Sequence, residues 1–207
     1  MNEIKPKVQD GLKRYPEDKE ELLERVKGLC HSAYPRHNWD GHITPAVNVA
    51  LRLQESHGGD RFIVEAGAYM HDLGRVLFDY LKFIGITHEV SGYYYTKLKL
   101  RQYGFDRGLK EKIARCVLEH SGSGLSNHKP TSIEAEIIMN ADAIAAFEEW
   151  NYQFSIYYSS HGKDTEKTKQ WLLKKLGSSW NKLTFPEVKK TITPLYEKIR
   201  LELAEKG

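Results

Sequence analysis

An all-α fold is what this sequence predicts, on three observations. Apolar residues recur at intervals of three and four almost throughout. No segment shows the period-two alternation of a half-buried strand. Residues that start and stop helices punctuate the chain. At 207 residues it is long enough to bury a core as a single domain spanning the whole chain, which is the organisation expected.

Taken in order, residues 1–9 are polar, carry Lys5 and Lys7, and lead into no apolar run that could serve as a secretory signal. Leu22, Leu23, Val26, Leu29 and Cys30 form the first helical stripe. Thr44 before Pro45 reads as an N-cap with a first-turn proline, opening a helix that carries Val47, Val49, Ala50 and Leu53. Asp60 caps a segment holding Ile63, Val64, Ala66 and Met70 and closing near Gly74. Thr87 opens a helix closed near Gly104. Asp106 opens another, striped by Leu109, Ile113, Cys116 and Val117 and closed near Gly122. Residues 121–130, rich in Gly, Ser and Asn, are expected to form a long loop bordering a site. Thr131 with Glu134 reads as a capping box for a long helix. Additional C-terminal helices fill residues 164–205, starting near Thr165 and near Pro186 or Pro194.

Composition excludes several functions. Hydrophobic residues are 40% and charged residues 29% of the chain, and no apolar run approaches the roughly 20 residues of a membrane span, so a cytoplasmic protein is expected. Cys30 and Cys116 are far apart and in no Cys-x-x-Cys arrangement, which argues for two reduced core thiols. Thirty-one basic against 28 acidic residues leave a net charge of +3, too balanced for a duplex-binding surface. Lys163, Lys167, Lys169, Lys174, Lys175, Lys189 and Lys190 interleave with Asp164, Glu166, Glu187, Glu197 and Glu202, as on an ordinary solvated face. Nucleic acid is therefore not an expected partner.

The chemistry concentrates in histidines and carboxylates. The pair His71 and Asp72 closes an apolar helix, where two ionisable neighbours need a partner. Asp142 lies within Ile137, Ile138, Ala141, Ala143, Ile144 and Ala145, where a bound cation would compensate its charge. His120 follows Cys116 and Val117 at helical spacing and so faces inward. His42 stands at a helix start after Trp39 and Asp40, which offer packing or an outer hydrogen-bond acceptor. The ordered set His42, His71 with Asp72, His88, His120 and Asp142 occurs in the segments Asp40-Gly41-His42, Ala68-Tyr69-Met70-His71-Asp72-Leu73-Gly74-Arg75, His88-Glu89, Leu118-Glu119-His120-Ser121 and Asn140-Ala141-Asp142-Ala143. In this it resembles the HD-domain family of metal-dependent phosphohydrolases, and in particular its small stand-alone members, over roughly residues 35 to 160. Pro45 and Ala143-Ile144 depart from the family pattern, which bears on substrate more than on metal.

The resemblance implies an HD-type helical bundle whose metal-binding core is extended by the C-terminal helices. It assigns His42, His71, Asp72 and Asp142 to the metal, and His88 and His120 to a second ion or to phosphate contact. A mixed imidazole and carboxylate set suits Mn, Fe, Co, Ni or Mg, with Zn also allowed; one ion is expected and two remain open. Such an ion acidifies water and polarises a phosphoryl oxygen. Asp72 then orients that water, and Arg75, Lys129 and Arg36 are candidates to hold phosphate, with a plain surface role the alternative for each. A small phosphorylated substrate, a nucleotide by the resemblance, is the expected partner. The alternative is a regulatory protein that binds such a ligand without hydrolysing it. Tyr93, Tyr94, Tyr95, Trp150, Tyr152, Phe154, Tyr157 and Tyr158 are candidates for base stacking, for core, or for a homodimer interface.

Overall fold

Every regular element among the described residues of the computed structural model is helical; these residues are 18–76, 85–121 and 129–205. The polar segment 1–9, most of the loop expected over 121–130, and the helix end expected near Gly122 lie outside them. The elements are α1 (Lys19–Ala33), α2 (Arg36–Asn38), a π-helical turn (Trp39–Ile43), α3 (Thr44–His57), α4 (Arg61–Met70), α5 (His88–Gln102), α6 (Arg107–Glu119), α7 (Ile133–Glu148), α8 (Trp150–Ser160), α9 (Thr165–Lys182) and α10 (Pro186–Glu205). No helix among the described residues is long and apolar enough to cross a membrane.

Two helices are apolar nearly all round, and such helices must lie in the interior. One is α4, with Phe62, Ile63, Val64, Ala66, Ala68, Tyr69 and Met70 buried. The other is α7, where Ile137, Ile138, Met139, Ala141 and every residue from Ala143 to Phe147 are buried. Helix α4 touches α1, α3, α6 and α7, while α7 touches α3, α6, α8, α9 and α10. Helix α5 packs along α6. The amphipathic outer helices thus wrap a two-helix core, and both Cys30 and Cys116 are free and buried in it.

Local punctuation agrees with the sequence in some places and corrects it in others. Asp60 caps α4 by accepting from the Phe62 and Ile63 amides, and Asp106 caps α6 through Gly108 and Leu109. Thr44 is not an N-cap. The chain is already helical there, and the Thr44 amide bonds to Trp39 O five residues back. Thr131 does not cap α7 either. Its N–H and hydroxyl both donate to the buried Glu119 carboxylate, and Ser132 caps instead by accepting from Ala135 N. Glu134 reaches across to accept from Asp60 N at 3.0 Å. Thr87 stands at the N-cap position of α5 without a side-chain cap bond. Pro186 begins α10, and Pro194 lies inside it.

Candidate metal centre

The helix ends converge on one point. His42 is carried inward by the π-helical turn, His71 and Asp72 follow the last residue of α4, and His88 is the first residue of α5. His120 stands just past α6, and Asp142 sits midway along α7. The turn formed by residues 71–74 packs against the start of α5 so closely that a Cβ on Gly74 would collide with the His88 carbonyl oxygen and lie 2.6 Å from Gly92 N. Glycine at this position lets the two segments approach, and that approach sets the position of His88 beside Asp72.

His71 Nδ1–H donates to Ala68 O at 2.7 Å, and His120 Nδ1–H donates to Val117 O at 2.7 Å. A carbonyl only accepts, so these bonds fix the tautomer and leave each Nε2 with its lone pair facing the centre. His42 Nε2 lies 3.2 Å from His71 Nε2, 3.3 Å from Asp72 Oδ2 and 3.3 Å from Asp142 Oδ1. His71 Nε2 lies 3.9 Å from Asp72 Oδ2 and 3.8 Å from Asp142 Oδ1. The ligand bonds of a small divalent cation, about 2.1 Å each, place its donors roughly 3.0 to 4.2 Å apart. All five separations fall in that interval. The residues present therefore fit a metal ion.

The other oxygen of each carboxylate meets a cation of the chain. Asp72 Oδ1 accepts from Arg75 Nε at 2.7 Å, and Asp142 Oδ2 accepts from Lys182 Nζ at 2.8 Å. Burial alone would raise both carboxyl pKa values. Arg75, His120 and His42 around Asp72, and Lys182, His42 and His71 around Asp142, instead hold them well below the usual range. Burial pushes His71 down to about 4 and His88 down to about 4, so both imidazoles are neutral near pH 7, as metal ligands must be. Glu89 is buried beside His88, with Oε2 at 3.5 Å from Nδ1. Burial raises its pKa, but a Ser121 hydrogen bond and His88 outweigh that and bring it to about 2.

Two cavities open onto this cluster. The first, about 460 Å³, is walled by Tyr34, Tyr152, Tyr157 and Trp171 and reaches His42, Asp72 and Arg75. Tyr157 is stacked between His161 and Trp171, at 3.9 and 4.1 Å between centroids. The second, about 370 Å³, is basic, with Lys174, Lys175, Lys182 and Arg75 around His42 and Asp142.

Other candidates lie elsewhere. Arg36 is 94% exposed and pairs with Asp40, and neither borders the two cavities. Lys129 is exposed and also lines neither. Trp39 stacks on Tyr69 as packing. Tyr93 hydrogen-bonds Glu111, and Tyr94 is exposed and lines neither cavity, while Tyr152 and Tyr157 do line the first. Sequence reasoning missed Lys182 and treated Lys175 as solvated. The signal was present: on α9 both share a helical face with Leu172, Leu176 and Ser179, which are buried.

The HD-domain family profile matches residues 40–146, and the chain belongs to that family. Among solved structures, Bacillus subtilis YpgQ superposes with a TM-score of 0.67 at 16% identity, covering 90% of this chain and 94% of that one. The Lin1889 protein of Listeria innocua gives 0.57 at 22% identity, covering 91% and 94%. A predicted HD superfamily hydrolase from an uncultured Thermotogales bacterium gives 0.52 at 18%, covering 91% and 92%. These likenesses concern the fold. Among curated proteins, the tRNA (cytidine(56)-2'-O)-methyltransferase of Picrophilus torridus is 27% identical over 52% of this chain and 31% of its own length. That of Thermoplasma volcanium is 28% identical over 51% and 31%. The chain thus spans about a third of the methyltransferases it matches.

Proposed function

We propose that this protein is a metal-dependent phosphohydrolase acting on a small phosphate ester or phosphoanhydride, with a nucleotide as the substrate class. The observation that carries the proposal is the convergence of His42, His71, Asp72 and Asp142 donors at the floor of two cavities, one basic and one aromatic. A divalent cation held by those four residues would supply an acidified water and a polarised phosphoryl oxygen.

The chain's own groups do the rest. Arg75 is anchored through Nε to Asp72 and borders both cavities, so its guanidinium is placed to take a phosphate that spans them. Lys175 and Lys182 extend that positive wall. Tyr152, Tyr157 and Trp171 offer the apolar and aromatic surface that an organic group such as a base requires, in a volume typical of small-ligand sites. His88, neutral to about pH 4, acts beside Asp72 as a hydrogen-bonding or ligating imidazole and not as a cation. Methyl transfer belongs to the longer relatives as whole proteins and is not part of the proposal.

The test is metal analysis of the purified protein together with phosphate and pyrophosphate release from a nucleotide panel under added Mn, Co, Ni or Mg. Bound metal with turnover, both lost in Asp72→Ala while far-UV helicity is retained, supports the hydrolase. Tight nucleotide binding without product release would favour the regulatory alternative. A chain that takes up no metal under any of these conditions would overturn both.

A further inference from the structure

Helix α8 turns one face toward the aromatic cavity, and Gln153 and Tyr157, one helical turn apart on it, both line that space. Tyr157 is held on both faces of its ring by His161 and Trp171, so this wall is fixed by packing within the protein. The polar group beside it is not fixed in that way. The amide nitrogen and the amide oxygen of Gln153 are both shielded from solvent, and among the described residues neither has a hydrogen-bond partner. The buried amide of Asn140, by contrast, donates to Glu136 O and Thr184 Oγ1 and accepts from Thr184 N. An orphaned donor and an orphaned acceptor each lower stability, so the Gln153 amide does nothing to hold the fold together.

We propose that Gln153 selects the organic part of the substrate, its amide pairing with the edge of a nucleobase that places a hydrogen-bond donor next to an acceptor. The proposal rests on the nucleotide reading given under Proposed function. An amide presents one donor group and one acceptor side by side, the arrangement by which glutamine holds adenine through its amino group and the neighbouring ring nitrogen. Cytosine carries the same pairing of amino group and ring nitrogen. The glutamine side chain turns about three bonds, enough to bring its amide into the cavity that Gln153 already borders. Pairing with a base there satisfies both orphaned atoms at once. The aromatic walls accept any flat ring, because stacking is tolerant of which base is stacked, whereas the amide accepts only an edge of matching polarity. The same cavity, about 460 Å³, reaches Asp72 and Arg75, so the amide that reads the base and the groups that handle the phosphate share one space.

The experiment is calorimetric titration of the Mn-loaded protein with phosphonate analogues of nucleoside monophosphates, whose carbon–phosphorus bond resists hydrolysis. Two pairs are compared, adenosine with purine riboside and cytidine with pyrimidin-2-one riboside, the members of each pair differing only in the amino group. The native chain is expected to prefer the amino-bearing member of at least one pair by about tenfold or more. Gln153→Met, similar in volume and without the amide, should bind the members of that pair within about twofold of each other. Thermal unfolding of the ligand-free variant should occur at or above the native temperature, since an unpaired buried amide has been removed. Equal affinity of the native chain within both pairs, no binding of any of the four analogues, a preference that survives in Gln153→Met, or a variant that melts well below the native chain would each overturn the proposal. Phosphate release from p-nitrophenyl phosphate, an ester that carries no base, is measured beside these under added Mn. Its presence leaves the hydrolase standing whatever Gln153 does, and a chain that neither takes up metal nor releases phosphate would remove both readings.

Discussion

Replacing Lys182 by Met should cost the metal-free protein far more stability than the metal-loaded one. Lys182 Nζ and Asp142 Oδ2 are 2.8 Å apart, with side chains only 15% and 14% exposed. At an effective dielectric near 20 their Coulomb energy is about 6 kcal/mol, and the desolvation and ordering of the lysine offset roughly half of it. Lys182→Met, similar in volume, leaves Asp142 buried with its compensating lysine removed and should destabilise the chelated protein by about 3 kcal/mol. With a divalent cation at His42, His71, Asp72 and Asp142 the carboxylate is compensated by the ion, and the cost should fall to about 1 kcal/mol. Linkage converts the difference of about 2 kcal/mol into roughly 30-fold tighter metal binding by the variant. Urea unfolding in EDTA and in saturating Mn, with calorimetric titration of the same samples, measures all three quantities. Equal destabilisation in the two conditions, or weaker metal binding by the variant, would refute the idea that Lys182 and the ion neutralise the same carboxylate.

Three further outcomes are expected. Asn140 is fully buried, donates to Glu136 O and Thr184 Oγ1, and accepts from Thr184 N, so Asn140→Ala should lower the unfolding free energy by about 3 kcal/mol at unchanged urea m-value; a loss below about 1 kcal/mol would show that this latch between α7 and the start of α10 is weak. Gly74→Ala forces the turn away from α5 and should cost about 2–3 kcal/mol while loosening His88 from Asp72, and native-like urea stability in that variant would contradict the packing described. His57 bonds Glu187 Oε1 at 2.7 Å; burial lowers the His57 pKa, but that bond and the one to Leu53 O leave it above 6.5. A group raised in the folded state stabilises fully below its unfolded value and loses that contribution as pH rises through the folded value, so native stability should fall as pH rises above 6.5, and Glu187→Gln should flatten the fall. A variant profile parallel to that of the native chain would sink this assignment.

The helices were legible in the sequence because α1, α4, α6 and α7 carry apolar stripes or runs whose period needs no tertiary information. The converging residues were legible for a related reason: His71, Asp72, His120 and Asp142 are each polar groups where the helical register points inward. What escaped was set by contacts between distant segments. Thr131 looks like a cap until Glu119 claims both of its donors, and Ser132 then takes the capping role. Glu134 completes no capping box because its carboxylate is used by the Asp60 amide, 74 residues away in sequence. Thr44-Pro45 reads as a helix start because a proline within a regular α-helix clashes with the carbonyl four residues earlier; the wider π-helical turn just ahead of it relieves that clash and lets the helix run through. Lys175 and Lys182 were lost among the lysines of a charged segment. A tally of charge does not say which helical face each occupies, whereas the spacing from Leu172 and Leu176 does.

The π-helical turn at Trp39–Ile43 has a consequence for how this chain tolerates change in length. One residue more than an α-turn holds is accommodated there, so the helix before it and the helix after it are out of phase by about 100°. Gly41 occupies that turn with its Cα against the Tyr152 ring, leaving no room for a side chain. Deleting a single residue between positions 39 and 41 would remove the wider turn, bring back the clash of Pro45 with the carbonyl four residues before it, and swing position 42 off the axis on which Asp72 and Asp142 lie, with every side chain of the cluster still encoded. Inheritance of the inward histidine is thus a matter of reading-length, and a one-codon deletion would silence it as surely as the loss of the residue itself.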